Sequence, residues 1–313
     1  MTTSDRHIEV FAPFGHAFDL TKKICFQPFD LGKWFVIGFA AWLATFFSGG
    51  SFNWRNKLGQ VDWQWTAQHQ GAPFTWDHTA PWVIPLVLFG LLVGLAFVVL
   101  MLWLNARGRF IFTDCIVRNR GAIVEPWREY RTEANSLFVF QLVFTLCAMV
   151  AFAALAFVFL LTRYQGGSFL PVLLLVVFGV CWVVLLILFS LVVHFMLPVM
   201  YRRRCGAMEA FRAVRTLIGE NLGVCVLFLL FYLVLWLAAV AIGCIAGCVT
   251  CCVAALPYIG TVILLPVVMA LFAYPLCFVR QFGDSYDVWA VLPPPVEPPP
   301  PQVPPIQETL PPA

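Results

Sequence analysis

Long blocks of apolar residues, uninterrupted by lysine, arginine, aspartate or glutamate, constrain the fold of this chain more than any motif does. A helix of about 20 apolar residues crosses the hydrocarbon core of a bilayer, which is about 30 Å thick. A soluble domain divides its apolar residues into short periodic segments and carries about 25% charged residues, whereas this chain carries only 11%. The sequence therefore predicts an all-α fold, a multi-pass transmembrane helical bundle.

Six of these blocks meet or nearly meet the length of a membrane span. They run from Trp34 to Phe52, Trp82 to Leu104, Leu137 to Leu161, Phe169 to Met200, Leu222 to Ala246 and Tyr258 to Val279. We predict about six spans in a membrane domain of residues 34–280. An amphipathic cytoplasmic segment, residues 1–33, precedes this domain, and a Pro-rich, disordered cytoplasmic tail, residues 281–313, follows it.

The distribution of lysine and arginine predicts the orientation of the spans. Most of the 19 basic residues precede the first span, lie in the loops 105–136 and 201–221, or follow the sixth span. Because cytoplasmic loops hold the excess of basic residues, both loops and both termini are predicted to be cytoplasmic. We expect a multi-pass protein of the bacterial inner (plasma) membrane. The N-terminus has no short apolar core followed by a cleavage site, so no removable signal peptide is expected.

The two basic loops resemble each other in sequence, which indicates an internal repeat. Each carries Gly-Ala, then an aromatic residue with Arg, then Arg-Thr, then Asn ahead of a span. Apolar residues recur at i, i+4, i+7 and i+11 in both, at Ile123, Trp127, Tyr130 and Ala134 and at Ala207, Phe211, Val214 and Ile218. This spacing predicts amphipathic helices lying in the membrane surface. The arginines predicted to contact anionic lipid headgroups are Arg128, Arg131, Arg212 and Arg215.

The N-terminal segment is a looser third copy of this pattern. Its apolar stripe consists of Phe14, Ala17, Phe18, Ile24 and Cys25, beside two lysines. The alternative interpretation is that any basic loop between two spans is amphipathic, without a true repeat.

Two further clusters of residues have a structural and a functional interpretation. Cys244, Cys248, Cys251 and Cys252 are closely spaced, but no histidine or carboxylate lies near them. We therefore predict helix packing through Gly243 and Gly247 and no metal site there. The loop 53–81 is rich in tryptophan, which favours an interfacial belt over a sugar-binding surface or a lid. His69, Asp77 and His78 in this loop lack the tight spacing of a metal site, and we predict no bound metal or cofactor.

Several short segments give the chain a resemblance to known proteins. They are Arg107 to Phe110 with Asp114, Glu125 to Tyr130, Asn135 to Phe138, Arg280 to Gly283, and Tyr286-Asp287. In these segments the chain resembles an uncharacterised family of bacterial six-span membrane proteins. It is more distantly similar to the membrane domain attached to some glycerophosphodiester phosphodiesterases. The resemblance implies no known activity, because the catalytic domain of those enzymes is absent.

The sequence argues against catalysis. The six apolar blocks contain no aspartate, glutamate, lysine or arginine, and His194 is their sole histidine. No phosphate-binding glycine loop, nucleophile elbow or paired-histidine metalloprotease motif is present. We therefore predict that the protein is not an enzyme, and ion-coupled transport is disfavoured for the same reason.

Two functions remain open. The first is a non-catalytic membrane scaffold or assembly factor, whose basic surface helices bind anionic lipids. Its Pro-rich tail would recruit a cytoplasmic protein through P-x-x-P segments, although the composition of the tail favours a plain extended spacer over such a ligand. The alternative is a transporter of a lipid or other amphipathic molecule, with Pro266 and Pro275 breaking the sixth helix beside the path. Neither interpretation involves nucleic acid.

Overall fold

The computed structural model describes residues 8–27, 29–45, 83–164, 169–250 and 257–291, and the regular structure in this part of the chain is helical. The helices are α1 (Ala12–Phe26), α2 (Leu31–Thr45), α3 (Val83–Val117), α4 (Val124–Glu129), α5 (Arg131–Tyr164), α6 (Phe169–Arg203), α7 (Ala207–Glu220), α8 (Leu222–Val249), α9 (Pro257–Ile263) and α10 (Leu265–Val279). Two 3₁₀ turns follow, Arg280–Phe282 and Val288–Val291. The predicted all-α fold is confirmed for these residues.

Five of the helices are long and apolar enough to cross a membrane. The apolar segments are Leu88–Val117, Arg131–Val158, Val176–Arg203, Leu222–Val249 and Leu265–Phe282. In the first four, only 11 to 17% of the most apolar window is buried inside the protein. Side chains such as Phe89, Val150 and Val180 are 60 to 69% exposed. A soluble protein does not expose apolar surface on this scale, so the chain is consistent with a multi-pass membrane protein.

The first predicted span differs from the other five. In the described part of the chain it is the 15-residue helix α2, which is apolar but short for a membrane crossing. The remainder of that block, residues 46–52, lies outside the described residues.

Helix α3 extends further than its apolar block. It continues past Leu104 to Val117, so residues 105–117, interpreted from the sequence as the beginning of a loop, are helical. Helix α2 packs antiparallel along this extension, and Lys33 reaches Asn119 with a hydrogen bond of 2.7 Å. At the other end of the contact a Cβ on Gly108 would lie 2.5 Å from Leu43 Cβ, so only glycine allows this approach. The extension is therefore helical because α2 covers it.

The packed core lies at one end of the bundle. Its largest fully buried side chains include Phe110, Phe195, Phe228, Tyr274 and Phe278. The ring of Phe228 lies 4.4 Å from that of Phe278, 4.9 Å from Tyr274 and 5.1 Å from Phe195, centroid to centroid. These rings join α6, α8 and α10 into one cluster.

The N-terminal helix closes this end of the molecule. Helix α1 packs antiparallel to α10, with Cys25 Sγ 3.6 Å from Met269 Sδ and the hydroxyl of Tyr274 donating to the carbonyl of Val10 at 3.0 Å. Gln281 exchanges two hydrogen bonds with the backbone of Glu9, at 2.9 and 2.8 Å. The beginning of the described chain is thereby fixed to the end of α10.

The predicted amphipathic stripes meet different outcomes. Helix α7 spans the second basic loop as a single helix, and its buried residues are Ala207, Ala210, Val214 and Leu217, with Phe211 and Ile218 partly buried. The first loop instead forms the six-residue α4, a turn at Tyr130 and the start of α5, so its predicted stripe crosses two helices. In α1, Ala17, Ile24 and Cys25 of the stripe are buried, Phe14 is partly buried and Phe18 is 57% exposed, so the predicted surface position of this helix stays a prediction.

The sixth block is interrupted, as its prolines indicate, but at one place only. Helix α9 ends at Ile263 and α10 begins at Leu265, immediately before Pro266. Pro275 lies inside α10 without ending it. Proline removes a backbone donor and its ring crowds the carbonyl four residues earlier, which accounts for the break at Leu264.

Residues 283–291, predicted as the beginning of the tail, pack against the end of α6. The backbone turns at Gly283, whose φ of 134° is unfavourable for other residues. The guanidinium of Arg203 lies 4.7 Å from the ring centroid of Tyr286, and Val288 is fully buried. Residues 281–291, which belong to the tail of 281–313 predicted from the sequence, are therefore structured, and residues 292–313 lie outside the described residues.

Candidate functional site

The basic end of the bundle, formed by α4, α7 and the connections 118–123 and 204–206, contains a buried ionic network. Its centre is the carboxylate of Asp114 on α3, whose side chain is fully buried. This carboxylate accepts a hydrogen bond from the hydroxyl of Tyr201 at 3.0 Å and forms ion pairs with Arg118 at 3.1 Å and Arg120 at 3.0 Å. A buried carboxylate is tolerated only when its charge is paired in this way.

A second carboxylate extends the network to the connection between α6 and α7. Glu129 accepts hydrogen bonds from Arg118, at 3.0 Å, and from Arg204. Arg204 also lies 3.4 Å from Glu133. Burial alone lowers the pKa of Arg118. The charge of Asp114 and the hydrogen bond to Glu129 raise the pKa by more than burial lowers it, so the pKa lies above its ordinary value. Arg118 and Arg204 are therefore permanently charged structural links.

Stacked aromatic rings pack against these ion pairs. Tyr130 stacks on Tyr201 with centroids 4.8 Å apart and on Phe110 at 5.8 Å. The Arg204 guanidinium lies 4.0 Å above the Tyr130 ring, a cation–π contact. Burial raises the pKa of Tyr130, so its hydroxyl stays protonated at physiological pH.

The four arginines predicted to contact lipid are placed differently from Arg118, Arg120 and Arg204. Arg128 on α4, Arg131 at the first position of α5, and Arg212 and Arg215 on α7 are all exposed. Their guanidinium groups form no ion pair or hydrogen bond with the residues that the structure describes. The arginines of the basic end thus divide into an inward set that holds the fold and an outward set that is available to a ligand.

The exposed face of α7 separates its charges. At 100° per residue, Arg212 and Arg215 fall on one edge with Met208, which is 63% exposed. Glu209 and Glu220 fall on the opposite edge. The basic edge is the one next to the partly buried apolar residues of the helix, an arrangement typical of helices in a membrane interface.

Helices α5 and α7 bring the two pairs of exposed arginines to the same end of the bundle. The Ser136 hydroxyl on α5 accepts a hydrogen bond of 2.8 Å from the backbone N–H of Ala207, the first residue of α7. The rings of Phe140 and Phe211 lie 5.5 Å apart one turn further on. The arginines predicted from the similarity between the two loops are exposed, and their contact with lipid headgroups stays a prediction.

Arg107 occupies a site of its own beside this surface. Its guanidinium lies between the indoles of Trp103 and Trp127, 5.0 and 5.1 Å from their centroids. It donates to the carbonyl of Trp127 and to Asn135 Oδ1, both at 3.0 Å. The residue is only 4% exposed, and Arg131 lies one helical turn before its partner Asn135 on α5.

A further polar cluster lies inside the bundle, and sequence reasoning found only one of its members. His194 Nδ1 lies 2.6 Å from the carbonyl of Ser190, and Nε2 lies 3.4 Å from the hydroxyl of Tyr232. The buried Arg109 donates to Asn105 Oδ1 at 3.0 Å, and its charge acts on His194 and Tyr232. The i, i+4 spacing of Asn105 and Arg109 is the signal that the sequence offers, but both residues lie beyond the predicted end of the second span at Leu104.

The predicted packing site in α8 has no partner within the described chain at Gly247. A Cβ added there would meet nothing within 4 Å among the described residues, and packing through Gly243 and Gly247 stays a prediction. Cys244 and Cys248 are exposed on α8. Among the described residues no group of three histidines, cysteines or carboxylates is placed to hold a metal. Cys251, Cys252 and the loop 53–81, with His69, Asp77 and His78, lie outside the described residues.

Comparison with known proteins gives one match. Residues 9–289 match a family whose description is "Family of unknown function (DUF7544)". No curated protein and no solved structure matches the chain. The match agrees with the resemblance to an uncharacterised family, whereas the comparisons provide no link to glycerophosphodiester phosphodiesterases.

Proposed function

The chain belongs to DUF7544, a family of unknown function, and we propose from its residues that it is a non-catalytic membrane scaffold or assembly factor. In this proposal the basic end faces the cytoplasm of a bacterial cell and binds the anionic headgroups of the inner membrane. Both termini are then cytoplasmic, as the distribution of basic residues favours.

The observation that carries the proposal is the division of the arginines at the basic end. Arg118 and Arg120 neutralise the buried Asp114, and Arg204 pairs with the partly buried Glu129 and with Glu133, so these arginines link α3, α4, α5 and the end of α6. Four other arginines remain exposed without an acidic partner among the described residues. An arginine close to an anionic membrane surface contributes about 1 kcal/mol to binding. A rigid platform with four such arginines is suited to binding several headgroups at once.

The arrangement of α7 supports lipid over a soluble acidic partner. Its arginines lie on the edge next to apolar side chains, and its glutamates lie on the other edge, away from them. A membrane interface presents apolar chains and phosphates side by side, so it matches the first edge and leaves the second edge to water. Binding of a soluble acidic protein does not require arginines to lie next to apolar side chains.

The scaffold proposal includes a protein partner recruited by the Pro-rich tail, since extended proline segments bind aromatic grooves without a large loss of entropy. The alternative function, transport of a lipid or amphipathic molecule, is favoured by the polar cluster of Arg109, His194 and Tyr232 inside the bundle. We rank it second because the end of the bundle next to this cluster is filled by packed aromatic rings.

Lipid analysis of the purified protein tests the lipid-binding proposal. We would extract wild type, the quadruple variant R128Q/R131Q/R212Q/R215Q and the control E209Q/E220Q with their surrounding lipid and quantify the lipids by mass spectrometry. The control removes charges from the opposite edge of α7. We expect anionic lipid to be enriched over the bulk membrane with wild type and control and to lose that enrichment with the quadruple variant. Equal enrichment in all three proteins would overturn lipid binding by these arginines.

Truncation after Val291 tests the scaffold role separately. The cut leaves the packed turn at residues 288–291 in place, so the membrane domain is not disturbed. A stoichiometric protein partner that is lost on truncation supports the scaffold. An enriched amphipathic molecule, with no protein partner and no effect of truncation, favours the transporter instead.

A further inference from the structure

Arg107 is a buried cation without an acidic partner in the part of the chain that the structure describes. Its exposure is 4%, yet its polar contacts are the Trp127 carbonyl and the Asn135 amide oxygen, both neutral. Buried charges in proteins are ordinarily paired, as Asp114 is here. Contact with two indole faces attracts the cation but does not neutralise it.

The guanidinium is held in a fixed orientation. Two of its five N–H groups are bound, and Asn135 Oδ1 is itself held by the indole N–H of Trp103 at 3.3 Å. The Arg107 Nε–H has no hydrogen-bond partner among the described residues. A guanidinium held in this way provides a positive charge at a fixed position, so little entropy is lost when an anion binds beside it.

Arg131 brings a second positive charge to the same place. It is exposed and lies one helical turn before Asn135 on α5, the residue that accepts a hydrogen bond from Arg107. An anion that lies close to two neighbouring cations is attracted by both of them.

We propose that Arg107 and Arg131, with Trp103 and Trp127 as walls, bind the phosphate group of a phosphoester. Arg131, at the rim, contacts the phosphate directly. Arg107 supplies the second charge from behind the indoles. Arginine pairs well with phosphate oxygens, and tryptophan is favoured at the depth of lipid headgroups. The phosphate belongs either to an anionic lipid headgroup or to a free phosphate from solution. The site deepens the proposed function, because it adds one specific position to a generally basic surface.

The test compares two exposed arginines, only one of which belongs to the site. Full-length wild type, R131Q and R215Q are placed in phosphatidylcholine nanodiscs, with either phosphatidylglycerol in the bilayer or inorganic phosphate in solution. Thermal stability is measured against the concentration of each anion, and retained lipid is counted by native mass spectrometry. We expect one saturable site in wild type and R215Q, and affinity about tenfold weaker in R131Q, as the loss of one charge-assisted contact predicts. The R131K variant, which keeps the charge, should recover part of the affinity.

The two anions distinguish the sources of the phosphate. A saturable response to phosphatidylglycerol alone assigns a lipid headgroup, and an equal response to inorganic phosphate assigns a free anion. Equal losses in R131Q and R215Q would overturn the site while leaving the proposed lipid-binding surface intact. No saturable response to either anion in wild type would also overturn the site, whereas the proposed function fails only if the quadruple variant keeps its anionic lipid.

Discussion

The indole N–H of Trp34 donates a 3.0 Å hydrogen bond to the carbonyl of Val262, the acceptor that Pro266 leaves without its helical donor. A helix normally closes each carbonyl with the N–H four residues later, and proline has no N–H to give. The break between α9 and α10 is therefore satisfied from α2. Because Gly38 faces Val262, where a Cβ would lie 2.8 Å from Val262 Cγ2, α2 can approach closely enough for this bond.

Replacing Trp34 by phenylalanine removes the donor and keeps an aromatic ring. The Val262 carbonyl is then unsatisfied, which costs about 1 to 3 kcal/mol. We expect the W34F variant to unfold at a lower temperature than wild type in detergent. Trp182 on α6 is the control, since its indole N–H makes no hydrogen bond within the described chain. If W182F lowers the melting temperature as much as W34F does, ring size and not the hydrogen bond is responsible.

Tyr201→Phe tests the ionic network at its centre. The Tyr201 hydroxyl is a donor to the fully buried Asp114 carboxylate, and its loss leaves that carboxylate with one donor fewer. Hydrogen bonds to buried charged groups contribute about 1.5 to 3 kcal/mol. We expect a lower melting temperature for Y201F.

The matched control is Tyr286→Phe. Tyr286 contacts Arg203 through its ring, and its hydroxyl has no partner among the described residues. A destabilisation by Y286F equal to that of Y201F would contradict a special role for the Asp114 contact.

The ionic network also shows what the sequence could and could not predict. The apolar blocks located the five long helices, because length and hydropathy are local properties. The resemblance of the two basic loops identified four arginines that are exposed. The resemblance did not distinguish these four exposed arginines from Arg204, which pairs with Glu129, 75 positions away. It also did not predict the hydrogen bond between Asp114 and Tyr201, which are 87 positions apart. Such pairs depend on how helices pack, which periodicity within one segment does not encode.

The thiol of Cys25 gives a prediction for the dependence of stability on pH. Burial raises its pKa to about 11, with a smaller opposing effect of Lys33. The folded state thus favours the neutral thiol, and this contribution is complete below pH 9 and is lost as the pH rises from about 9 towards 11. We expect the melting temperature of wild type to exceed that of C25A at pH 8, and the difference to shrink by pH 10.5. An equal difference between wild type and C25A at pH 8 and at pH 10.5 would contradict this prediction.

Gly108 and Gly94 both lie on α3, and we predict opposite effects on stability when each is replaced by alanine. A Cβ on Gly108 would lie 2.5 Å from Leu43 Cβ and 2.6 Å from its carbonyl carbon, so alanine forces α2 and α3 apart at their crossing. Overpacking of this kind costs about 1 to 3 kcal/mol. A Cβ on Gly94 meets nothing within 4 Å, and alanine is a better helix former than glycine by about 1 kcal/mol. We expect G108A to lower the melting temperature and G94A to leave it unchanged or raise it.

The same substitution tests the position of Asn105. Because Asn105 donates to the Leu43 and Ala44 carbonyls one turn away, G108A should also weaken the hydrogen bond between Asn105 and Arg109. Faster hydrogen exchange at the end of α2 in G108A, but not in G94A, would show that the close crossing positions the buried arginine. Unchanged exchange in G108A would instead mean that Asn105 keeps its place without the crossing.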